Sequence, residues 1–208
     1  MKRTATLLMV LTAGLCPLSL PSATAAEKNE EGFVSIFNGK DLSGWRISDD
    51  GKWRVEEGKI VANGARSHLF TMQEFKDFEF KAEVMTTPGS NSGIYFHTQY
   101  LQTGWPVQGY ESQVNVTHSD PVKTGSLYRV VKLYKTPARD NEWWTHHIIV
   151  RGRNITVKIN DEIVIDYTEP VGAKGPIRIS EGNFALQAHD PKSVVYYRNL
   201  RVKRLPKE

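Results

Sequence analysis

The chain of 208 residues carries 27 Lys and Arg against 23 Asp and Glu, so its formal net charge at pH 7 is only +4. Domains that bind nucleic acid concentrate positive charge on one surface, and so small a surplus excludes that class. The one cysteine, Cys16, allows neither a disulfide framework nor a cysteine-ligated metal site.

The first 25 residues have the features of a secretory signal peptide. Lys2 and Arg3 precede an apolar stretch at residues 7–20, and small residues follow at 23–25. This order predicts that residues 1–25 are removed, which leaves 25 basic and 23 acidic side chains and a charge of +2. We therefore expect a bacterial periplasmic or secreted protein that is not attached to a membrane after signal cleavage.

Residues 26–32 are charged and polar and are predicted to form a disordered leader, with a single domain at residues 33–206. Within this domain Glu57–Gly58 and Asn160–Asp161 are turn pairs typical of β-hairpins. Short strands are predicted in chain order at 53–55, 59–61, 78–84, 94–97, 109–116, 148–150, 155–167 (two strands), 177–179, 184–189, 194–197 and 200–205. No stretch of ten residues has helical periodicity, so the predicted fold is an all-β sandwich. The pattern alone leaves a closed barrel open.

Three of these strands combine an apolar face with a face of carboxylate, amide, imidazole and phenol groups. Side chains alternate between the two faces of an extended strand. The polar faces consist of Glu111, Gln113 and Asn115 on one strand, Tyr95 and His97 on another, and Gln187 and His189 on the third. Because an amide both donates and accepts hydrogen bonds, these faces predict a groove for a hydroxyl-rich ligand.

Two long connections, at residues 99–109 and 119–143, interrupt the regular spacing of strands. Such loops usually carry specificity in a β-sandwich. Trp105 in the first loop, and Tyr95 on its strand, suit stacking on a sugar face. Asn91, before the second polar strand, is a further candidate for binding hydroxyl groups, although Asn-Ser-Gly at 91–93 is also typical of a plain turn.

Eight motifs resemble those of the bacterial 3-keto-disaccharide hydrolase domain family. They are residues 33–45 (Phe-Val-Ser-Ile-Phe-Asn-Gly-Lys-Asp-Leu-Ser-Gly-Trp), 53–58, 75–80, 91–96, 109–113, 124–128, 184–189 and 197–202. In this order they cover nearly the whole predicted domain. The resemblance implies a concanavalin A-like, glucanase-like jelly roll of two antiparallel sheets, with carbohydrate on the concave sheet. It also implies cleavage of glycosides that carry a ketone at C3. The family often has Arg where this chain has His97.

A ketone at C3 acidifies the proton on C2, because the carbanion is delocalised as an enolate. The predicted reaction is removal of this proton, elimination of the C1 group and addition of water. It needs a base, an acid and groups that stabilise the enolate. Glu111 and His189 are the predicted base and acid, in either order, and Lys123 and Tyr128 are predicted to stabilise the enolate. The partner is an oxidised, 3-keto sugar, which links the protein functionally to a sugar 3-dehydrogenase.

Several alternatives stay open at this point. Glu111 and His189 both have structural interpretations, the first holding a loop and the second pairing with Asp190. No cofactor is predicted, but a divalent metal held by His97, Glu111 and His189 is an alternative. A non-catalytic carbohydrate-binding module would use the same groove, since fold alone does not decide function. An ordinary retaining glycosidase is disfavoured, because Gln113 and Asn115 stand where its second carboxylate is expected.

Overall fold

A computed structural model describes residues 30–206, and the predicted signal peptide lies outside the described residues. The strands are β1 Val34–Ser35, β2 Trp45–Ile47, β3 Arg54–Glu56, β4 Lys59–Asn63, β5 Ser67–Thr71, β6 Phe78–Thr86, β7 Asn91–Thr98, β8 Tyr110–Asn115, β9 Trp144–Arg151, β10 Asn154–Ile159, β11 Glu162–Thr168, β12 Asn183–Ala188 and β13 Val194–Arg204. No helix occurs in this range, so none is present there that is long and apolar enough to cross a membrane.

The strands form two separate antiparallel sheets. The larger has eight strands in the order β11-β10-β9-β6-β13-β4-β3, with β1 also paired to β13. The smaller has five, in the order β2-β5-β12-β7-β8. The predicted all-β sandwich is therefore confirmed and a single closed barrel is excluded. Both predicted turns are also observed, with Glu57 and Asn160 at positive φ (48° and 55°) between paired strands.

The core lies between the two sheets and follows directly from strand alternation. Along β6, buried and half-buried residues alternate without exception. The inward side chains, Phe78 and Phe80 among them, pack against Phe184 of β12 with ring centroids 4.7 and 4.5 Å apart. Phe75 completes the cluster at 4.8 Å. This aromatic contact fixes β12, the strand that carries Gln187 on its opposite face.

Two buried polar contacts also join the sheets. Ser112 of β8 and His146 of β9 are hydrogen-bonded at 2.8 Å, and Ser92 of β7 and Tyr197 of β13 at 2.7 Å. Burial lowers the pKa of His146 to about 3, so its ring is neutral and makes an ordinary hydrogen bond. These contacts hold β7 and β8 in register with the larger sheet.

Two of the strand predictions were wrong. Residues 177–179 form no strand, because this segment makes other hydrogen bonds. The Ile179 amide donates to the Glu169 carboxylate at 2.7 Å, and the carbonyl group of the adjacent Pro176 accepts from the Gly109 amide at 3.0 Å. The last two predicted strands are one, β13, with an irregularity in its register after Arg198. Asn199, at a φ of 51°, lies at that irregularity and interrupts the alternation.

We expect Phe184→Ala to lower the free energy of unfolding by about 3–5 kcal/mol, because it leaves a cavity among three aromatic rings. Urea denaturation followed by circular dichroism measures this loss. Val171→Ala, at an 83% exposed loop residue, is the matched control and should change stability by less than about 0.5 kcal/mol. Equal effects of the two substitutions would contradict the assigned core.

Candidate active site

The outer face of the five-stranded sheet carries a pocket of about 510 Å³. Most of the predicted site residues line it, namely Asn91, Tyr95, Trp105, Glu111, Gln113, Tyr128, Gln187 and His189. Three adjacent strands, β12, β7 and β8, form its floor, and loop residues 105–109, 128–129 and 176–177 form its walls. The volume is within the range of small-molecule sites.

Glu111 is on β8, the edge strand of the floor, and strand register places its carboxyl group over the middle strand, β7. It pairs with Tyr95 across β7 and β8, and its side chain lies over Gly93, where any Cβ atom would overlap the carboxylate Oε1. The Gln187 amide donates to the Tyr95 hydroxyl oxygen at 3.0 Å and to Glu111 Oε1 at 3.3 Å. Only glycine at position 93 leaves room for the carboxyl group in this place.

Burial raises the pKa of Glu111 to about 7, against the lowering effect of the hydrogen bonds from Tyr95 and Gln187. The pKa of Tyr95 is raised well above its usual value by burial and by the neighbouring Glu111. Tyr95 therefore stays protonated and remains a donor. A carboxyl group with a pKa near neutrality exchanges a proton readily at physiological pH, which is what an acid–base group requires.

His189, just beyond β12, is held by an ionised carboxylate. Its Nδ1 lies 2.9 Å from Asp190 Oδ2. Asp190 also accepts from the Ser193 hydroxyl at 2.7 Å and from the Lys192 amide at 2.8 Å. Against the raising effect of burial, these hydrogen bonds lower the pKa of Asp190 to about 2. The carboxylate fixes the proton on His189 Nδ1 and leaves Nε2 to receive or donate a proton.

Two amides at one end of the floor are linked to each other. Gln113 donates to Asn91 Oδ1 at 3.1 Å, and the Asn91 amide lies 3.4 Å from His118 Nδ1. Both Gln113 and Asn91 line the pocket. Their remaining donors and acceptors suit sugar hydroxyl groups.

His97 does not lie in the pocket, contrary to the prediction. One extra residue on β7, opposite the interval from Asn183 to Ala185 of β12, makes a bulge, and His97 has a φ of 56°. The bulge reverses the alternation, so the imidazole packs against Phe78 between the sheets and its Nε2 bonds to the Lys76 carbonyl at 2.7 Å. The three residues of the alternative metal site, His97, Glu111 and His189, are therefore not brought together.

Asn115 and Lys123 are also outside the pocket lining. The Asn115 amide donates to the carbonyl groups of Asp120 and Val122 at 2.9 and 2.8 Å. Lys123 Nζ donates to the carbonyl groups of His118 and Asp120 at 2.8 and 2.9 Å. Both side chains hold the loop after β8 in shape, so the structure gives Lys123 no contact with an enolate.

Sequence reasoning missed two charged pocket residues, Arg129 and Asp120. Arg129 has a φ of 66° and acts on Glu111 by lowering its pKa, whereas Asp120 raises it. Arg129 directly follows the predicted Tyr128, but no local pattern indicates which side chain of a long loop returns to the sheet. Among the cationic side chains of the described residues, Arg129 replaces Lys123 as the candidate stabiliser of negative charge.

His118, His189 and Asp190 come close enough at the pocket rim to be considered as metal ligands, with potential ligand atoms within 4.8 Å of one another. These groups also take part in hydrogen bonds. Both Asp190 oxygens accept hydrogen bonds, and His118 Nδ1 accepts from the Asp120 amide at 3.1 Å. A cation at this position would therefore compete with the backbone for His118 Nδ1.

Comparison with known proteins gives consistent results. The sequence pattern of the 3-keto-alpha-glucoside-1,2-lyase-like domain family matches residues 32–203. A 3-keto-disaccharide hydrolase from Bacteroides thetaiotaomicron is 27% identical, with 84% of this chain and 79% of that protein covered. These matches confirm the family resemblance drawn from the motifs.

Solved structures agree with the fold. A glycosyl hydrolase-like protein from Parabacteroides distasonis is 26% identical with a TM-score of 0.74, covering 89% of this chain and 99% of that one. The carbohydrate-binding module CBM66 from Bacillus subtilis is 16% identical with a TM-score of 0.59, covering 79% and 98%. The predicted jelly-roll sandwich is therefore confirmed, and the second likeness concerns the fold alone.

We expect Gly93→Ala to displace the Glu111 carboxyl group while leaving the fold intact. The added methyl group would overlap Oε1, the far end of a flexible side chain, so the side chain moves before the strand does. The pKa of Glu111 should then fall from about 7 towards its ordinary value. Titration of the labelled carboxyl carbon by NMR measures this, and an unchanged pKa would show that Gly93 does not position Glu111.

We expect Glu111→Gln to stabilise the protein at alkaline pH. Because the folded pKa of Glu111, about 7, exceeds the ordinary 4.5, the stability that its protonated form contributes is complete below pH 4.5 and is lost as pH rises through 7. Neutral Gln escapes this loss, so the variant should gain up to about 3 kcal/mol at pH 8 and little at pH 4.5. Urea denaturation at both pH values is the measurement, and an equal effect at both would contradict the raised pKa.

Proposed function

The chain belongs to the 3-keto-alpha-glucoside-1,2-lyase-like domain family, and we propose that it cleaves 3-keto-glycosides, 3-keto-disaccharides among them, by elimination and hydration. The relative named 3-keto-disaccharide hydrolase supports a glycoside-cleaving activity. One observation carries the proposed mechanism: a carboxyl group with a pKa of about 7, Glu111, lines the same pocket as His189, an imidazole fixed by ionised Asp190.

The proposed reaction begins with transfer of the C2 proton to the Glu111 carboxylate. The electron pair of the C2–H bond becomes an enolate that spans C2, C3 and the C3 oxygen. When the C3 carbonyl re-forms, the pair makes a C1–C2 double bond and the C1–O bond breaks. The leaving oxygen takes a proton from His189, and water then adds hydroxide at C1 and a proton at C2. Elimination and hydration together amount to hydrolysis.

We assign the base to Glu111 because burial makes its carboxylate more basic than an exposed one. Tyr95 and Gln187 hold it in place by hydrogen bonds. We assign the acid to His189, since the Asp190 carboxylate holds its Nδ1 and the residue lines the pocket that Glu111 shares. This assignment chooses one of the two orders that the sequence left open.

Arg129 and Tyr128 supply the proposed stabilisation of the enolate oxygen. Both line the pocket close to Glu111, and the Tyr128 amide donates to the Glu111 carbonyl at 2.9 Å. A cation and a phenol that face developing negative charge lower the barrier to its formation. Asn91, Gln113 and Gln187 are proposed to bind hydroxyl groups, and Trp105 to pack against a sugar face.

A second candidate is an ordinary glycosidase that acts on unoxidised sugars. One observation favours it: Asp120 lines the pocket together with Glu111, and two carboxyl groups are the usual equipment of such enzymes. Asp120 Oδ1, however, accepts from the Val122 amide at 2.8 Å, which ties it to the loop. A carbohydrate-binding module without catalysis, the third candidate, would use the same amides and Trp105 without any proton transfer.

The proposed substrate also implies a partner enzyme by its chemistry. A C3 ketone on an intact glycoside must be made by an oxidoreductase that removes hydride from the C3 hydroxyl group. We propose that a sugar 3-dehydrogenase supplies the substrate, and that both steps take place in the periplasm or outside the cell.

We expect the purified domain to release the aglycone from a 3-keto-glucoside and not from the unoxidised parent glycoside. The physical reason is that only the ketone makes the C2 proton acidic. Glu111→Gln should lose more than about 100-fold in kcat and keep its affinity for the sugar within about tenfold. Release from the unoxidised parent would favour the glycosidase, and binding of both sugars without cleavage would favour the binding module.

We expect kcat/KM to rise with pH through about 7, because Glu111 acts as a base only when ionised. The profile is measured with a 3-keto-glucoside between pH 5 and 9, with Glu111→Asp as the matched variant. A profile that instead falls through about 7 would assign the acid role to Glu111.

A further inference from the structure

A buried histidine lies beside the pocket and is not used by the proposed mechanism. His68 of β5 pairs directly with Gln187 of β12 in the sheet register. Its outward neighbours are aromatic: the His68 ring is 5.4 Å from Tyr95, 6.0 Å from Phe70 and 5.6 Å from Trp105. The polar surface of the sheet therefore extends from β12 to the next strand, β5, which lies beyond the open pocket.

Both ring nitrogens of His68 lack a hydrogen-bond partner among the described residues, and so does the Oε1 atom of Gln187. His68 is fully buried and Gln187 is 2% exposed. A buried donor or acceptor without a partner is costly and rare in native proteins. Here the unpartnered groups belong to neighbouring residues on the face that forms the floor of the pocket.

Trp105 covers this pair from the solvent side. Its indole stands edge-on to His68, and 42% of the residue is exposed, whereas Tyr95 and Phe70 are buried. Trp105 belongs to a short loop, residues 104–109, which we call the strap and which is held at both ends. The Gly104 amide donates to Asp49 Oδ1 at 3.0 Å, and the Gly109 amide donates to the Pro176 carbonyl at 3.0 Å. Of the three rings around His68, Trp105 is the only exposed one, and its other contacts are with Arg66 and His189 at the pocket rim.

We propose that His68 and Gln187 form a second sugar subsite beneath Trp105, which binds hydroxyl groups of the non-reacting ring of a disaccharide when the indole moves off the sheet. The proposal rests on the proposed function, because it extends the pocket of that reaction. A neutral imidazole offers one donor and one acceptor and the amide oxygen offers another acceptor, which is the set that hydroxyl groups match.

The charges around the subsite favour a neutral ligand. Burial lowers the pKa of His68 to about 4, so the ring is uncharged at neutral pH, and the nearby Arg66 guanidinium is already paired with Asp49 at 2.7 Å. The adjacent Tyr95 and Phe70 rings offer apolar faces to the C–H groups of a sugar. A hydroxyl-bearing ring meets both requirements.

The test compares a ligand with two rings and a ligand with one. The dissociation constants of maltose and methyl α-glucoside are measured by calorimetry on the wild-type domain and on His68→Phe, which puts an aromatic ring without nitrogen atoms in place of the imidazole. We expect maltose to bind about tenfold more weakly to the variant and methyl α-glucoside to change by less than twofold. Equal losses for both sugars, no loss for maltose, or no binding of maltose to the wild type would overturn the subsite.

Two further measurements keep this result interpretable. The melting temperature of His68→Phe should equal or exceed that of the wild type, since the substitution removes an unpartnered buried group.

Maltose should also change the tryptophan emission of the wild type and not that of Trp105→Phe. An emission change that survives Trp105→Phe would overturn the role of Trp105 as a cover. Neither sugar carries a ketone, so failure to cleave 3-keto-glycosides would overturn the proposed function and leave this binding result intact.

Discussion

Burial of polar side chains on the outer face of the five-stranded sheet is the constraint on which the rest of the site depends. Polar groups removed from water need partners, and on this face Gln187 bonds to Tyr95 and Glu111, while Gln113 bonds to Asn91. Where pairing is complete, as for Asp190, the group is fixed and ionised. Where pairing is incomplete, the carboxyl group of Glu111 has a pKa near neutrality and His68 is left without a partner. These groups therefore differ in how many of their donors and acceptors are left for a ligand.

The two loops that cover this face of the sheet are held in different ways. The loop after β8 is held from inside by Asn115 and Lys123, which use their donors on backbone carbonyl groups. This internal bonding leaves Tyr128 and Arg129 to line the pocket. The strap with Trp105 is anchored at both ends instead and is partly exposed in the middle. One wall is therefore held by many internal hydrogen bonds, whereas the other is held at its two ends.

Sequence patterns predicted the part of the site that follows from alternation within one strand. Glu111 and Gln113 on β8, and Gln187 on β12, face the pocket as the period of two requires. The same rule failed at His97, because a bulge with positive φ reverses the alternation there. It also missed β5, whose residues are buried on both faces and therefore show no polar–apolar alternation. His68 was missed for that reason.

The all-β class, the hairpin turns at Glu57–Gly58 and Asn160–Asp161 and most of the pocket floor could be predicted from the sequence, because they depend on backbone preferences and on a side-chain period of two, which are local properties of the chain. The family was recognised from the order of eight motifs. Contacts between distant parts of the chain set the pKa of Glu111, tie Asn115 and Lys123 into a loop, bring Arg129 to the pocket and place Trp105 over His68. Each of these depends on burial and on neighbours contributed by distant strands and loops, and no local pattern in the sequence records them.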